Sequence, residues 1–301
     1  MMRKSMLVTA LFGMGAVMPM LAMADEVAPA AAPAAPAAAA APAPNWTFPG
    51  SVGLVSDYLW HGQTQTWGKP ALQAGIEADH ASGFYAGVWG SNVSSHWLPN
   101  ANLETDWSVG FRNTFATDFR YDFGGTYVYY PDGNFNKSPA AVAAGTPYLS
   151  SKLNTVELYG ILGWKWFSVK GGYNPTKFYG WNTNNSTVGS GFAGDKAAGV
   201  TGSTNGSGYV MASASYDIPG VTGLNLAAEV GRQMIANSTN LDWTWYKVGL
   251  TKSFDGGWAV NGAVSGTTGT NAYQGFNSFD LATDTKNIDS TKFVVSLSKS
   301  F

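Results

Sequence analysis

The sequence predicts an all-β protein: a transmembrane antiparallel β-barrel of about twelve strands, with short periplasmic turns and long extracellular loops. Three observations predict it. From Phe48 onward the chain divides into segments that alternate apolar and polar side chains. The links between these segments alternate long and short. The charges within them fall almost wholly on one parity. Successive side chains of a strand point to opposite faces, so a period of two sorts residues cleanly, where a helical period would mix them. A tilted membrane strand needs about 9–11 residues, which is the length of these segments.

The elements follow in order. Arg3 and Lys4 precede an apolar run from Met6 to Met20, and Ala22-Met23-Ala24 fits a small-x-small cleavage pattern. Residues 1–24 are therefore expected to be a cleaved signal peptide, since the run falls short of the roughly 20 apolar residues of a spanning helix. Residues 25–46 are expected to be a periplasmic linker, because 27–44 is almost wholly Ala and Pro. Such a tract builds no core and favours an extended spacer. Residues 47–301 are expected to form the barrel.

Strands are expected near 50–60, 70–79, 83–92, 103–112, 118–130, 153–163, 165–174, 207–217, 222–232, 242–254, 257–266 and 291–301. In the second, Leu72, Ala74, Ile76 and Ala78 oppose Gln73, Gly75, Glu77 and Asp79. In the fourth, Trp107, Val109 and Phe111 oppose Glu104, Asp106, Ser108 and Arg112. In the fifth, Phe119, Tyr121, Phe123, Tyr127 and Tyr129 oppose Arg120, Asp122 and Thr126. The last sets Phe293, Val295, Leu297 and Phe301 against Lys292, Val294, Ser296, Ser298 and Ser300. An alternating strand ending on an aromatic residue is the kind of segment that barrel-assembly machinery reads. Phe293, Val295, Leu297 and Phe301 are therefore the candidate assembly signal, and the strand opening near Gly50 is the expected seam partner.

Long links are expected at 61–69, 94–101, 131–152, 175–206 and 267–290, with a moderate one at 233–241. Short ones fall at 80–82, 114–117, 164, 218–220 and 255–256. A soluble sandwich has no reason to alternate in this way, whereas outer-membrane barrels do. The loop 175–206 is long enough to fold inward as a constriction, or to remain on the surface. Two aromatic girdles are expected: Phe84, Trp164, Tyr216, Phe254, Trp258 and Phe301 near the short turns, and Trp60, Tyr129, Tyr173, Trp243 and Trp245 near the long loops.

Composition narrows the function. Charged residues make up 12% of the chain, against about 25% in a typical soluble domain. Aromatics reach 14%, with 12 Trp. No cysteine is present, which excludes disulfides, thiolate metal sites, cysteine nucleophiles and a lipidated cysteine. A net charge of −2 without any basic run gives no case for nucleic acid.

Ser56-Asp57-Tyr58-Leu59-Trp60-His61-Gly62-Gln63-Thr64-Gln65-Thr66, then Pro70-Ala71 and Gln73, then Ser82 to Val93, form a dense motif. It resembles the TorF-type family of proteobacterial porins, conserved outer-membrane proteins of unknown function. Those chains usually carry Arg where this one has His61 and Ser where it has Thr64. The resemblance implies an outer-membrane channel and supplies no substrate.

If the apolar parity faces lipid, the other lines the lumen. Lumen and selectivity candidates are Asp57, Glu77, Asp106, Arg112, Arg120, Asp122, Glu157, Lys170, Glu229 and Lys247, joined by Asp79, Glu104 and Lys292. An Arg or Lys on the lipid side would cost about 2–4 kcal/mol at mid-membrane, which explains the one-sided charges. Lys252 and Lys299 break the rule near strand ends, where snorkelling is cheap. Acids outnumber bases eight to five in this set, a weak preference for cations. Interior acid–base pairs that only brace the wall are the alternative.

The expected function is a bacterial outer-membrane porin passing small polar solutes or ions, with membrane lipid, periplasmic chaperones and the barrel-assembly machinery as partners. A closed barrel binding through its loops is the alternative. A hydrolase is less favoured: His61, His80 and His96 are the only histidines, and Gly-x-Ser-x-Gly is absent. No cofactor or metal is expected, since no pair of ligands has metal spacing.

Overall fold

The computed structural model describes residues 45–189 and 192–301. The expected signal peptide and Ala/Pro tract lie outside the described residues.

Twelve strands close into one ring. They are β1 (Gly50–Val55), β2 (Ala71–His80), β3 (Phe84–Asn92), β4 (Leu103–Phe115), β5 (Phe119–Tyr129) and β6 (Thr155–Trp164). The others are β7 (Phe167–Tyr173), β8 (Gly208–Asp217), β9 (Leu224–Met234), β10 (Trp243–Phe254), β11 (Trp258–Thr268) and β12 (Lys292–Ser300). Each pairs antiparallel with its neighbours in sequence, and β12 pairs with β1 from Ser296↔Val55 to Ser300↔Ser51. The seam partner is the strand expected. Closure leaves no unpaired edge, which is the condition for a sheet in hydrocarbon.

The short turns gather at one end, together with Gly50 and Phe301, whose backbones exchange two hydrogen bonds of 3.0 Å. The turns tighten through left-handed residues, among them Ala116 at φ 55° and Lys165 at φ 51°. The long loops gather at the other end, where one of them carries a short helix, α1 (Pro139–Ala143), capped by the Ser138 hydroxyl.

The wall inverts the polarity of a soluble protein. Leu72, Val109, Phe123, Leu162, Val248 and Phe293 point outward and are exposed, Phe293 by 69%. Gln73, Glu77, Ser91, Glu104 and Thr251 point inward and are buried. The hydrophobic core sits inside the long-loop end, built by loops that turn inward and by inward-facing strand aromatics.

Two expectations are corrected. The first strand ends at Val55, not near residue 60: the Ser56 N–H donates to the Val295 carbonyl, the Ser56 hydroxyl accepts from the Val295 N–H, and the chain then leaves the wall. The aromatic girdle holds outside for Phe84, Trp164, Tyr216, Phe254, Trp258, Phe301, Tyr129 and Tyr173, all exposed. Trp60, Trp243 and Trp245 are instead buried inside the barrel. Trp243 and Trp245 share the parity of Lys247, so the alternation that turns the lysine inward turns them inward too.

Candidate functional site in the barrel lumen

Residues 56–70 form a hairpin inserted into the lumen. Leu59 pairs with Thr64 and Trp60 with Gln63. His61 and Gly62 make the connecting turn with φ 46° and 81°. That combination is a primed two-residue turn, which matches strand twist and needs glycine or a tolerant residue at both centres. A side chain at Gly62 would also meet the Gly266 carbonyl at 2.7 Å, so the tip lies flush against the wall.

Side-chain hydrogen bonds and ring stacking seat the hairpin. The Asp57 carboxylate accepts from Thr64 Oγ1 at 2.5 Å, Thr66 Oγ1 at 2.9 Å and Lys292 Nζ at 2.8 Å. Tyr58 Oη donates to Glu104 at 2.9 Å. Trp243 Nε1 donates to the His61 carbonyl at 2.8 Å, and His61 Nδ1 meets Gln233 Oε1 at 3.1 Å. The imidazole is stacked between Trp60 at 4.2 Å and Trp245 at 3.8 Å, with the Tyr209 ring edge-on at 4.7 Å. Gln233 and Tyr209 lie on β9 and β8, four and five strands round the ring from β1. The hairpin therefore crosses nearly the full lumen. Burial, with the nearby Lys170 charge adding to it, pushes the His61 imidazole down to about 3 against the Gln233 hydrogen bond. It is held neutral at physiological pH.

Beneath the hairpin lies a layer of carboxylates and tyrosines. Glu104 accepts from Tyr58 and, at 2.7 Å, from Tyr130. Glu157 accepts from Tyr209 at 2.7 Å and pairs with Lys170 at 3.4 Å. Lys170 Nζ lies 4.7 Å and 5.4 Å from the Tyr159 and Tyr209 ring centroids, a cation held by rings as well as by charge. Both carboxylate oxygens of Asp106 are buried without a hydrogen-bond partner among the described residues.

The short-turn half is more open, with Asp79, Arg112, Arg120 and Asp122 only half-buried. Arg112 donates to Glu77 and Asp79 and lies 4.2 Å over the Tyr85 ring. Asp122 accepts from Tyr85 at 2.7 Å. Arg120 donates to the Lys165 carbonyl at 2.7 Å. Glu229 accepts from Trp245 Nε1 at 3.1 Å and stands opposite Lys247 in register. A cavity of about 70 Å³ is lined by Arg120, Ser168, Ser213, Glu229, Lys247 and Asn261 among others.

Glycines set where the lumen aromatics lie. A Cβ at Gly110 would stand 2.3 Å from Tyr85, at Gly124 2.6 Å from Tyr159, at Gly172 2.2 Å from Tyr209 and at Gly231 2.3 Å from Trp245. Each ring rests on a bare backbone of the adjacent strand, flat along the wall, and bore width is kept.

The structure brings most of the expected lumen residues into local sets: Glu77 with Arg112, Asp122 with Tyr85, Glu157 with Lys170, Glu229 with Lys247. Asp106 lies beside Glu104 and Glu157, and Arg120 lies apart near the short turns. Asp57 is on the hairpin and not on a wall strand. Sequence reasoning missed Tyr58, Gln233, Trp243 and Trp245 as lumen groups, although parity carried the signal for the last three. Phe293, Val295, Leu297 and Phe301 all face outward. His96 Nδ1 meets both Ser278 Oγ at 2.8 Å and Asp284 Oδ2 at 3.4 Å. One ring nitrogen serves both, so the three do not form a nucleophile–base–orienter relay.

A family model described as a bacterial protein of unknown function, Gcw_chp, matches residues 38–301. Among solved structures, the chain is similar to the KdgM porin in complex with disordered oligogalacturonate, at 10% identity and TM-score 0.46, covering 85% of this chain and 99% of that one. It is also similar to OccAB1 of Acinetobacter baumannii, at 15% identity and TM-score 0.41, covering 82% of this chain and 60% of that one. No curated protein matches.

Proposed function

The chain belongs to the Gcw_chp family of bacterial proteins of unknown function, and we propose that it forms an outer-membrane channel for small hydrophilic solutes or ions. The channel has a narrow charged lumen and is plugged by the 56–70 hairpin. The observation that carries this reading is the inverted wall: Leu72, Val109, Phe123 and Phe293 outside, and Glu77, Arg112, Glu157 and Lys170 inside. An outward apolar face suits lipid, and a lumen lined with charge suits hydrated solutes. Outward aromatics at both rims suit the headgroup region. Lys252 and Lys299 fit as well, since each reaches back at the short-turn end, Lys252 to the Thr222 carbonyl and Lys299 over Trp258. The short turns and the linker would face the periplasm, with β12 offered to the assembly machinery. The residues of the TorF-type likeness include 56–66 and Pro70 of the hairpin, so that likeness would rest largely on the plug.

The aromatic packing of the long-loop half favours a second reading, a closed barrel that binds through its loops. Refolded protein in a planar bilayer separates the two. Discrete conductance steps are expected for a channel. Insertion of folded, heat-modifiable protein without steps would sink it.

A further inference from the structure

Four of the long loops meet over a cavity of about 190 Å³. Trp97, Tyr148, Trp181, Phe192, Phe276 and Phe279 supply its rings, and α1 supplies only small alanines. Among the described residues, no charged side chain lines it. Trp97 stands edge-on to Trp181 at 6.2 Å and to Phe276 at 4.7 Å, so flat apolar faces meet at an angle. Polar groups also line the cavity. Trp97, Thr146, Tyr148, Trp181 and Asn277 are among the lining residues, and their side chains make no hydrogen bond to the described residues. Beneath it, sharing Trp97 and Trp181, is a cavity of about 20 Å³ lined by Trp60 and Gln63. Trp60 Nε1 and Gln63 Nε2 are buried donors without hydrogen-bond partners among the described residues, on residues 6% and 1% exposed.

These features together select one ligand chemistry. An ionic ligand would lose its hydration here and meet no countercharge. A purely apolar one would leave the donors and the amide unpaired, which specific pockets avoid. A neutral sugar ring presents C–H groups on its faces and hydroxyls round its rim, which matches rings flanked by unpaired donors. We propose that this outer cavity binds a neutral saccharide, stacked on Trp97 and Trp181, and that Trp60 and Gln63 are the next donors it meets inward. The inward step rests on the channel reading; binding in the outer cavity does not.

The test uses the full chain refolded in detergent, with calorimetry and tryptophan fluorescence. The probes are maltose and cellobiose, a neutral O-antigen polysaccharide, and glucuronate and tetramethylammonium as charged comparators. Binding of the free disaccharides or of the polysaccharide upholds the site, and the responding arm identifies a soluble solute or a surface glycan as the source. Ala144→Trp, which fills the cavity from an exposed position, abolishes binding. Asn277→Ala weakens it about fivefold, one neutral hydrogen bond. Heat-modifiable migration verifies that both variants are folded. Absence of binding to every neutral sugar, equal binding by Ala144→Trp, or equal binding of the charged comparators would overturn the proposal. Conductance is read separately. Conduction without saccharide binding removes this site and leaves the channel; binding without conduction does the reverse.

Discussion

Removing the Asp57 carboxylate should unseat the hairpin. Asp57 holds the hairpin's returning arm through Thr64 and Thr66 and ties its base to β12 through Lys292. The ion pair is shielded, with side chains only 8% and 18% exposed. Hydrogen bonds to a charged group contribute about 1.5–3 kcal/mol each. Breaking a buried pair by removing one partner costs about 3–5 kcal/mol, because the other charge is left alone. Three bonds lost together, partly regained by water, leave about 3 kcal/mol in Asp57→Ala. That is roughly a hundredfold change in the ratio of unseated to seated hairpin. Asp57→Asn keeps an acceptor for the two threonines and should fall between. The Tyr58–Glu104 and Trp243–His61 contacts remain in both, so the hairpin is loosened and not lost. The assay is single-channel recording of refolded protein, read as the ratio of open to closed time, with a double-mutant cycle through Lys292→Ala to isolate the pair. An unchanged ratio in Asp57→Ala, in protein that still migrates as a folded barrel, would refute the assignment of 56–70 as the plug.

Acid should act on the same element. The seated His61 titrates at about 3, whereas a water-exposed histidine titrates near 6.5. The unseated form therefore binds more protons between these values, and seating weakens as pH falls through 6.5. The loss is about 2 kcal/mol at pH 5, seen as more open time at pH 5 than at pH 7 and abolished in His61→Phe. Gly172→Ala should lower the urea midpoint by a shift worth about 1–3 kcal/mol, because its Cβ would overlap the Tyr209 ring. Gly171→Ala, which meets only a carbonyl at 3.9 Å, should stay close to wild type. Ion selectivity from reversal potentials should shift toward anions in Glu77→Gln and toward cations in Arg120→Gln. No shift in either would place both side chains outside the conduction path.

The wall was legible because alternation is a local property: Glu77, Arg112, Asp122 and Lys292 each share a parity with polar or small neighbours and oppose apolar ones. The loop rhythm was legible for the same reason. The plug was not. Tyr58 and Trp60 fall on the parity of the outward Val52 and Leu54, so the pattern runs on past Val55, where the chain has already turned inward. Nothing local tells an inserted loop from a surface one, since what makes Tyr58 and His61 interior groups is Glu104, Gln233 and Trp245, brought there by closure. Trp243 and Trp245 were misplaced for a different reason. A preference of tryptophan for membrane rims was set above the parity of Lys247, and parity is the stronger constraint because one strand cannot twist single residues to the other face.

The seam between β1 and β12 has consequences for how this barrel is completed. It holds five residue pairs where β4 and β5 share eleven. It also joins segments some 240 positions apart in sequence, the costliest kind of contact to form and so expected among the last. Of the hairpin's partners, Gln233, Trp243, Trp245 and Lys292 belong to β9, β10 and β12, so while the sheet is still a ribbon it can reach early-strand groups such as Glu104 on β4 but not most of its seat. Once β12 arrives, Asp57 meets Lys292 across the join and clasps the long-loop half, which the brief ladder leaves unlaced. Plugging thus becomes a proof of completion: only a cylinder with all its staves in place can cork itself.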